Sequence, residues 1–166
     1  MNHLESLLNE YLGIQGYIVV CNAKVGKLDH GGWKMELDVV AYCPTRKHLV
    51  HYEPSLDANS WDVREQRFIK KFAAAREHLR DIPQFAFLTR ADVDGMEQVA
   101  IFPSVAEPRR DFLGCSAVAV DELMSEIIEF VVARGLGSRA AFSEEYPLLR
   151  TLQMAVCGYY RRPRIP

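Results

Sequence analysis

The chain has no apolar run approaching the roughly 20 residues of a helical membrane span, and its first residues, MNHLESLLNEYLG, carry neither a basic segment nor a long apolar core. Neither a membrane helix nor a secretory signal is expected, and the expected location is the cytoplasm. Only 4 cysteines occur in 166 residues, namely Cys21, Cys43, Cys115 and Cys157, widely scattered and without a Cys-x-x-Cys pair. A disulfide framework or a zinc site is marked by closer or paired spacing, so reduced thiols are expected. Positive charge is also in short supply: 20 Lys and Arg face 22 Asp and Glu, a formal charge of -2. Bulk electrostatics therefore does not coat nucleic acid, and any such contact must be local. There is no Gly-x-Ser-x-Gly and no Gly-x-Gly-x-x-Gly, and the stretch around Gly26, Gly31 and Gly32 lacks phosphate-loop spacing. These absences argue against a nucleophilic hydrolase, a dinucleotide enzyme and a phosphate-loop protein.

What is present is an ordinary globular composition, 49% hydrophobic and 25% charged. A chain of this size most simply forms one domain, residues 1–166, burying about 70% of its unfolded surface. Residues 35–55, MELDVVAYCPTRKHLVHYEPS, read as a β-hairpin. Two runs rich in β-branched and aromatic residues, Glu36 to Cys43 and His48 to Tyr52, flank Pro44-Thr45-Arg46-Lys47. With Thr45-Arg46 as a two-residue loop, Pro44 faces Lys47 and Asp38 faces Glu53. Directly opposed side chains have Cβ atoms about 4.5–5.5 Å apart, and like charges there are destabilising. A divalent cation reverses that sign. Two alternatives stay open: a wet face that simply carries acids, or a longer loop that shifts the register so that the pair never meets.

Alternation puts Glu36, Asp38, Val40 and Tyr42 on one face with Leu49, His51, Glu53 and Ser55, and Leu37, Val39, Ala41, Val50 and Tyr52 on the other. Both faces are largely apolar, the pattern of strands inside a sheet covered on two sides. Carboxylates there are partly buried, and buried charges are paired, hydrogen-bonded or metal-bound. Oxygen ligands suit magnesium, calcium or manganese.

Along the rest of the chain, His3 to Leu12 reads as an amphipathic helix with Glu5 at the edge of its apolar face. Gly16 to Cys21 reads as a strand, and Lys24 to Lys34 as a loop or irregular hairpin. A helix capped by Asn59 or Ser60 runs from Trp61 to about Arg80. Its buried stripe is Trp61, Phe68, Phe72, Ala75, Leu79 and Ile82. Arg64, Arg67 and Lys71 form a basic line on another side, with Lys70 beside them. Strands are expected at Gln84 to Thr89 and Gln98 to Phe102, with Asp92 to Gly95 as the turn between. After an apolar run, Ser116 to Val120, come helices from Glu122 to Arg134 and from about Ser143 to Tyr160. From Tyr146 onward the chain has no acid, while Arg150, Arg161, Arg162 and Arg164 accompany Tyr159 and Tyr160. That tail is either a solvated terminus or an arm that holds phosphates. The element order fits an α/β fold with a mixed central sheet flanked by helices.

A helix bearing Glu5, an apolar strand opening on Gly16-Tyr17, a hairpin with Asp38 on one arm and Glu53 on the other, and then a helix: this order resembles the PD-(D/E)xK nuclease superfamily, in particular its restriction-endonuclease-like and Holliday-junction-resolvase-like members. The resemblance covers residues 4–90, the nuclease-like core, leaving further strands and C-terminal helices in 91–166. It implies a restriction-endonuclease-like fold in which Asp38 and Glu53 hold magnesium or manganese and Glu5 completes the metal site. The superfamily lysine falls on Ser55, whose hydroxyl carries no charge. The superfamily also moves this lysine to the following helix, which nominates Lys71 or Lys70, with Arg67 behind them.

The expectation that follows is a magnesium-dependent deoxyribonuclease with Asp38, Glu53 and Lys71 as catalytic residues and nucleic acid, DNA by the resemblance, as partner. Arg64, Arg67, Lys70, Arg161 and Arg162 would contact the nucleic acid, and His51 would either orient a ligand or simply pack. The alternative is a catalytically degenerate module of the same fold that binds nucleic acid or a protein without cleavage, as Ser55 suggests. In a third reading Tyr159 and Tyr160 mark a subunit interface of a homodimer.

Overall fold

Asn2 caps the first helix. Its side chain accepts from the backbone N–H of Leu4 and of Glu5, each at 3.0 Å, and the Glu5 carboxylate reaches back to the Asn2 N–H at 3.0 Å. This reciprocal capping box satisfies orphan donors of α1, His3–Ile14, whose Leu4, Leu7, Leu8, Tyr11 and Leu12 are buried. The computed structural model describes residues 2–56, 59–112, 114–135 and 141–158. Arg161, Arg162, Tyr159 and Tyr160 lie outside the described residues.

The chain divides into two compact units, Met1–Val120 and Asp121–Pro166. In the first, β1 (Ile18–Lys27), β2 (Trp33–Cys43) and β3 (His48–Pro54) form an antiparallel meander. After β3 come α2 (Trp61–His78), α3 (Arg90–Asp94), β4 (Glu97–Phe102), the two-residue β5 (Asp111–Phe112) and β6 (Cys115–Ala119). The sheet is mixed, in the order β1-β2-β3-β4-β6-β5, with β4 parallel to both β3 and β6. β2 and β3 are interior strands. Val39, Val40, Ala41, Val50 and His51 are all fully buried, as apolar character on both faces requires. α1 packs on β1 and β2, and α2 also lies on these strands. In α2, Phe68, Phe72, Ala74 and Ala75 are buried. Burying each phenylalanine contributes about 2–3 kcal/mol.

The hairpin closes with Cys43 facing His48 and runs back through Val40–His51 to Val39–Tyr52. The loop thus spans four residues, Pro44 to Lys47, rather than two, and the expected register survives because both loops have even length. Lys47 takes up a left-handed conformation, φ 49°, to close it. β1 is longer than expected: it continues through Asn22 and pairs with β2 as far as Lys27–Trp33. Asn22 holds φ 52° in mid-strand, and Gly26, at φ 66°, has Lys34 Cβ only 2.7 Å from where a Cβ would stand.

The strand expected at Gln84 to Thr89 is absent. Ile82, Phe85 and Leu88 are the buried residues there, every third position, while Phe87 is 60% exposed. That is the period of a 3-10 turn, which Pro83–Phe85 forms, and not the period of two of a strand. The turn expected at Asp92 to Gly95 is instead the end of α3, nucleated by a second capping box: Asp92 N–H donates to Thr89 Oγ1 at 3.2 Å, and Thr89 N–H to Asp92 Oδ2 at 2.7 Å.

The second unit contains α4 (Val120–Arg134, from its second residue on) and α5 (Pro147–Val156), which starts later than expected, at a proline suited to a first helical turn. Gln153 ties it together, donating to Gly135 O at 2.7 Å and accepting from Phe142 N–H at 3.1 Å. All four cysteines are free, with Cys43 buried. Among the described residues no helix is long and apolar enough to cross a membrane.

Candidate functional site

The face of the hairpin that carries Asp38, His51, Glu53 and Ser55 lies under α2, and each of these side chains meets a partner from that helix or from the hairpin itself. Lys71 Nζ donates to Asp38 Oδ1 at 2.7 Å and also to Glu53 Oε2. Arg67, one turn earlier, donates to Ser55 Oγ. Phe72 meets the His51 ring edge-on, centroids 5.5 Å apart and planes at 80°. Helical spacing explains the alignment: residues 67, 71 and 72 share the side of α2 that faces this end of β3.

Glu53 is 1% exposed and has donors on both oxygens. Oε1 accepts from the Asp38 backbone N–H at 3.1 Å and from His51 Nε2 at 2.7 Å, and Oε2 faces Lys71. Burial works against its ionised form. The hydrogen bond and charge of His51, then the charge of Lys71, outweigh burial and hold the carboxyl down at about 2. An ionised carboxylate only accepts, so the shared hydrogen belongs to His51 Nε2. His51 Nδ1, fully buried, has no hydrogen-bond partner. Such an orphan calls for an explanation. Here the ring is committed to Glu53, and its other face is committed to apolar packing against Phe72.

Asp38 behaves in the opposite way. Burial first, then the hydrogen bond and charge of neighbouring Glu53, push its carboxyl up to about 7, against the pull of Lys71. Lys71 loses some charge stabilisation to burial, but the two carboxylates more than restore it and raise its pKa. The cluster is therefore a carboxyl pair with unequal proton affinities, bridged by one ammonium. It lines a cleft of about 220 Å³ together with Ser55, Leu56 and Arg67.

Asp38, Glu53, Lys71, Arg67 and Ser55 thus come together at one cleft. Glu5 is placed differently. It is buried and engaged in the α1 capping box, and its Oε2 accepts from Asn22 Nδ2 at 3.0 Å. The same amide lies 3.5 Å from the backbone oxygen of Asp38, so Glu5 connects to Asp38 through Asn22. Among the described residues, no group of three or more His, Cys, Asp or Glu side chains is gathered closely enough to hold a metal ion. Lys70 lies outside the cleft, lining a separate hollow with Lys34 and Glu77, which pair at 2.8 Å. Arg64 stands over the Phe102 ring, 5.6 Å from its centroid.

Ser55, noted from sequence only for the lysine it lacks, matters as the acceptor of Arg67, and two further contributors were not singled out from sequence. Asn22 matters through a left-handed backbone for which only its residue type gives a hint, since asparagine tolerates that region better than most. Arg109 stacks over Trp61 at 4.5 Å, bringing a distant loop to the start of α2. The chain matches no family model, no curated protein and no solved structure.

Proposed function

We propose that the protein is a metal-dependent nuclease of the PD-(D/E)xK kind, hydrolysing phosphodiester bonds of nucleic acid, with DNA as the substrate class. The observation that carries this reading is Lys71 Nζ donating to both Asp38 Oδ1 and Glu53 Oε2. The lysine missing at Ser55 is supplied from α2 to the same two carboxylates. The order of helix, three antiparallel strands, helix and parallel strand is consistent with a restriction-endonuclease-like core.

The donor set fits magnesium or manganese, hard cations that one or two carboxylates hold together with substrate phosphates. Such an ion, when bound, supplies an acidified water and a Lewis acid for the phosphoryl oxygens. The chain's own residues do the rest. Asp38 and Glu53 provide the oxygen ligands, and His51 keeps Glu53 ionised and oriented. Lys71 holds negative charge that develops on the phosphoryl group, and Arg67, braced by Ser55, holds a phosphate at the mouth of the cleft.

Cleavage of single-stranded, duplex and branched DNA in magnesium tests this. Asp38→Ala, Glu53→Ala and Lys71→Met are each expected to lose about 100-fold or more. Equal rates in wild type and all three variants would sink the mechanism.

A second reading, a binding module that does not cleave, is favoured by one specific observation: the Lys71 ammonium already satisfies both carboxylates, and no third acid joins them among the described residues. A closed ion cluster of that kind needs no metal for its stability.

A further inference from the structure

We propose that a nucleic-acid strand leaves the carboxylate cleft along a track of arginines, Arg67, Arg64 and Arg109, over the C-terminal ends of β3 and β4, with the phosphodiester backbone as the ligand.

The track begins where the site ends. On α2, Lys71, Arg67 and Arg64 follow one another at steps of four and three residues, about one helical turn or 5.4 Å each. Lys71 serves the carboxylates, and Arg67 is set on Ser55, two residues past Glu53. Ser55 N–H donates to Ile101 O at 2.8 Å, tying the end of β3 to the end of β4. One residue further, Phe102 closes β4 and carries Arg64 over its ring. Trp61 lies 5.0 Å from Phe102, centroid to centroid, and Arg109, exposed in the loop after β4, covers Trp61 at 4.5 Å.

Two physical features suit this line to a strand. Arg64 held against Phe102 and Arg109 held against Trp61 each bring to this line a planar fork of N–H donors, the shape that matches phosphate oxygens. Holding them there beforehand removes part of the ordering cost of binding. The acids of the same turns lie off the line: Glu65, one residue after Arg64, is about 100° around the helix from it, and Asp62, two residues before, about 160°. With a net charge of -2 the protein has no general attraction for polyanions, so a local strip must provide it.

The track deepens the nuclease reading and rests on it only for the destination of the strand. Its test needs no cleavage: anisotropy of labelled oligothymidylate and oligouridylate with the full chain in EDTA, between about 50 and 200 mM salt. Arg64→Gln and Arg109→Gln are each expected to weaken binding about 5- to 10-fold and to lower the salt slope by about 0.7, the single-strand value per phosphate contact. Arg90→Gln, beside Arg76 and about 22 Å along α2 from Trp61, should match wild type. Wild-type affinity and slope in both track variants would overturn the track while leaving magnesium-dependent cleavage untouched, and so would a wild type that binds neither strand. Loss of binding in the track variants without any Asp38-dependent cleavage would uphold the track and remove the nuclease reading.

Discussion

The backbone N–H of Asp38 donates to Glu53 Oε1 at 3.1 Å, which makes the Glu53 side chain part of the hairpin's own hydrogen bonding. Regular pairing of the two strands reaches Val39–Tyr52. One residue on, a carboxylate oxygen accepts from the strand backbone. Removing that carboxylate should therefore cost stability as well as chemistry. Glu53→Ala strips the acceptor from Asp38 N–H, His51 and Lys71 and is expected to destabilise by about 3–5 kcal/mol in urea unfolding. Glu53→Gln retains an acceptor for the Asp38 N–H and should lose less than about 2 kcal/mol. Equal losses would show that the strand link contributes nothing.

Magnesium and manganese should raise the melting temperature of the wild type. At about 100 times the dissociation constant the gain is about 2.7 kcal/mol, several degrees for a domain of this size. Asp38→Asn should abolish the rise without lowering the metal-free melting temperature by a comparable amount. A wild type indifferent to both metals would favour the non-cleaving module.

The Asp38 carboxyl, at about 7 in the folded chain against an ordinary 3.8, binds its proton more tightly folded than unfolded. Its contribution is present in full below 3.8 and is lost as pH climbs through 7. Metal-free wild type should lose stability relative to Asp38→Asn between about pH 4 and 7 and level off above that, by some degrees of melting temperature. Glu53 has the opposite sign. Its contribution is present above 4.5 and disappears as pH falls toward 2. A wild type that tracks Asp38→Asn through the neutral range would refute the raised value.

His51 separates packing from positioning. His51→Phe fills a similar volume beside Phe72 and removes the orphaned Nδ1, but leaves Glu53 with one donor fewer. It should fold with a loss of about 1–3 kcal/mol while losing most of its metal response. His51→Gln, which can still donate, should recover part of that response. If Phe and Gln behave alike in metal titration, His51 is only core.

Much of this was legible because it depends on short-range pattern. The hairpin register followed from strand composition and an even loop, and the buried face of α2 followed from Phe68, Phe72 and Ala75 at helical steps. Segment 83–89 misled because Phe85 and Phe87 mimic strand alternation, whereas only Phe85 is buried, following a proline-initiated 3-10 turn. Glu5 looked like a free ligand because a capping box leaves an acid in the same place on the helix as a metal site would. Asn22 and the Arg109–Trp61 stack depend on backbone twist and loop closure, and neither leaves a periodic trace.

The four-residue turn at Pro44 to Lys47 starts about 20 Å of strand from Asp38, six residues away at roughly 3.4 Å each. Yet it sets whether the acids share a face, because strand side chains alternate in twos. If β3 slipped against β2 by one residue, Asp38 would stand opposite Tyr52 or Pro54 and one acid would turn away from Lys71. A slip of two would keep both acids on one face. The site is thus governed at a distance by parity: a change in this surface turn that slips the strands by one residue would dismantle it, and a turn of another length that keeps Cys43 opposite His48 would not.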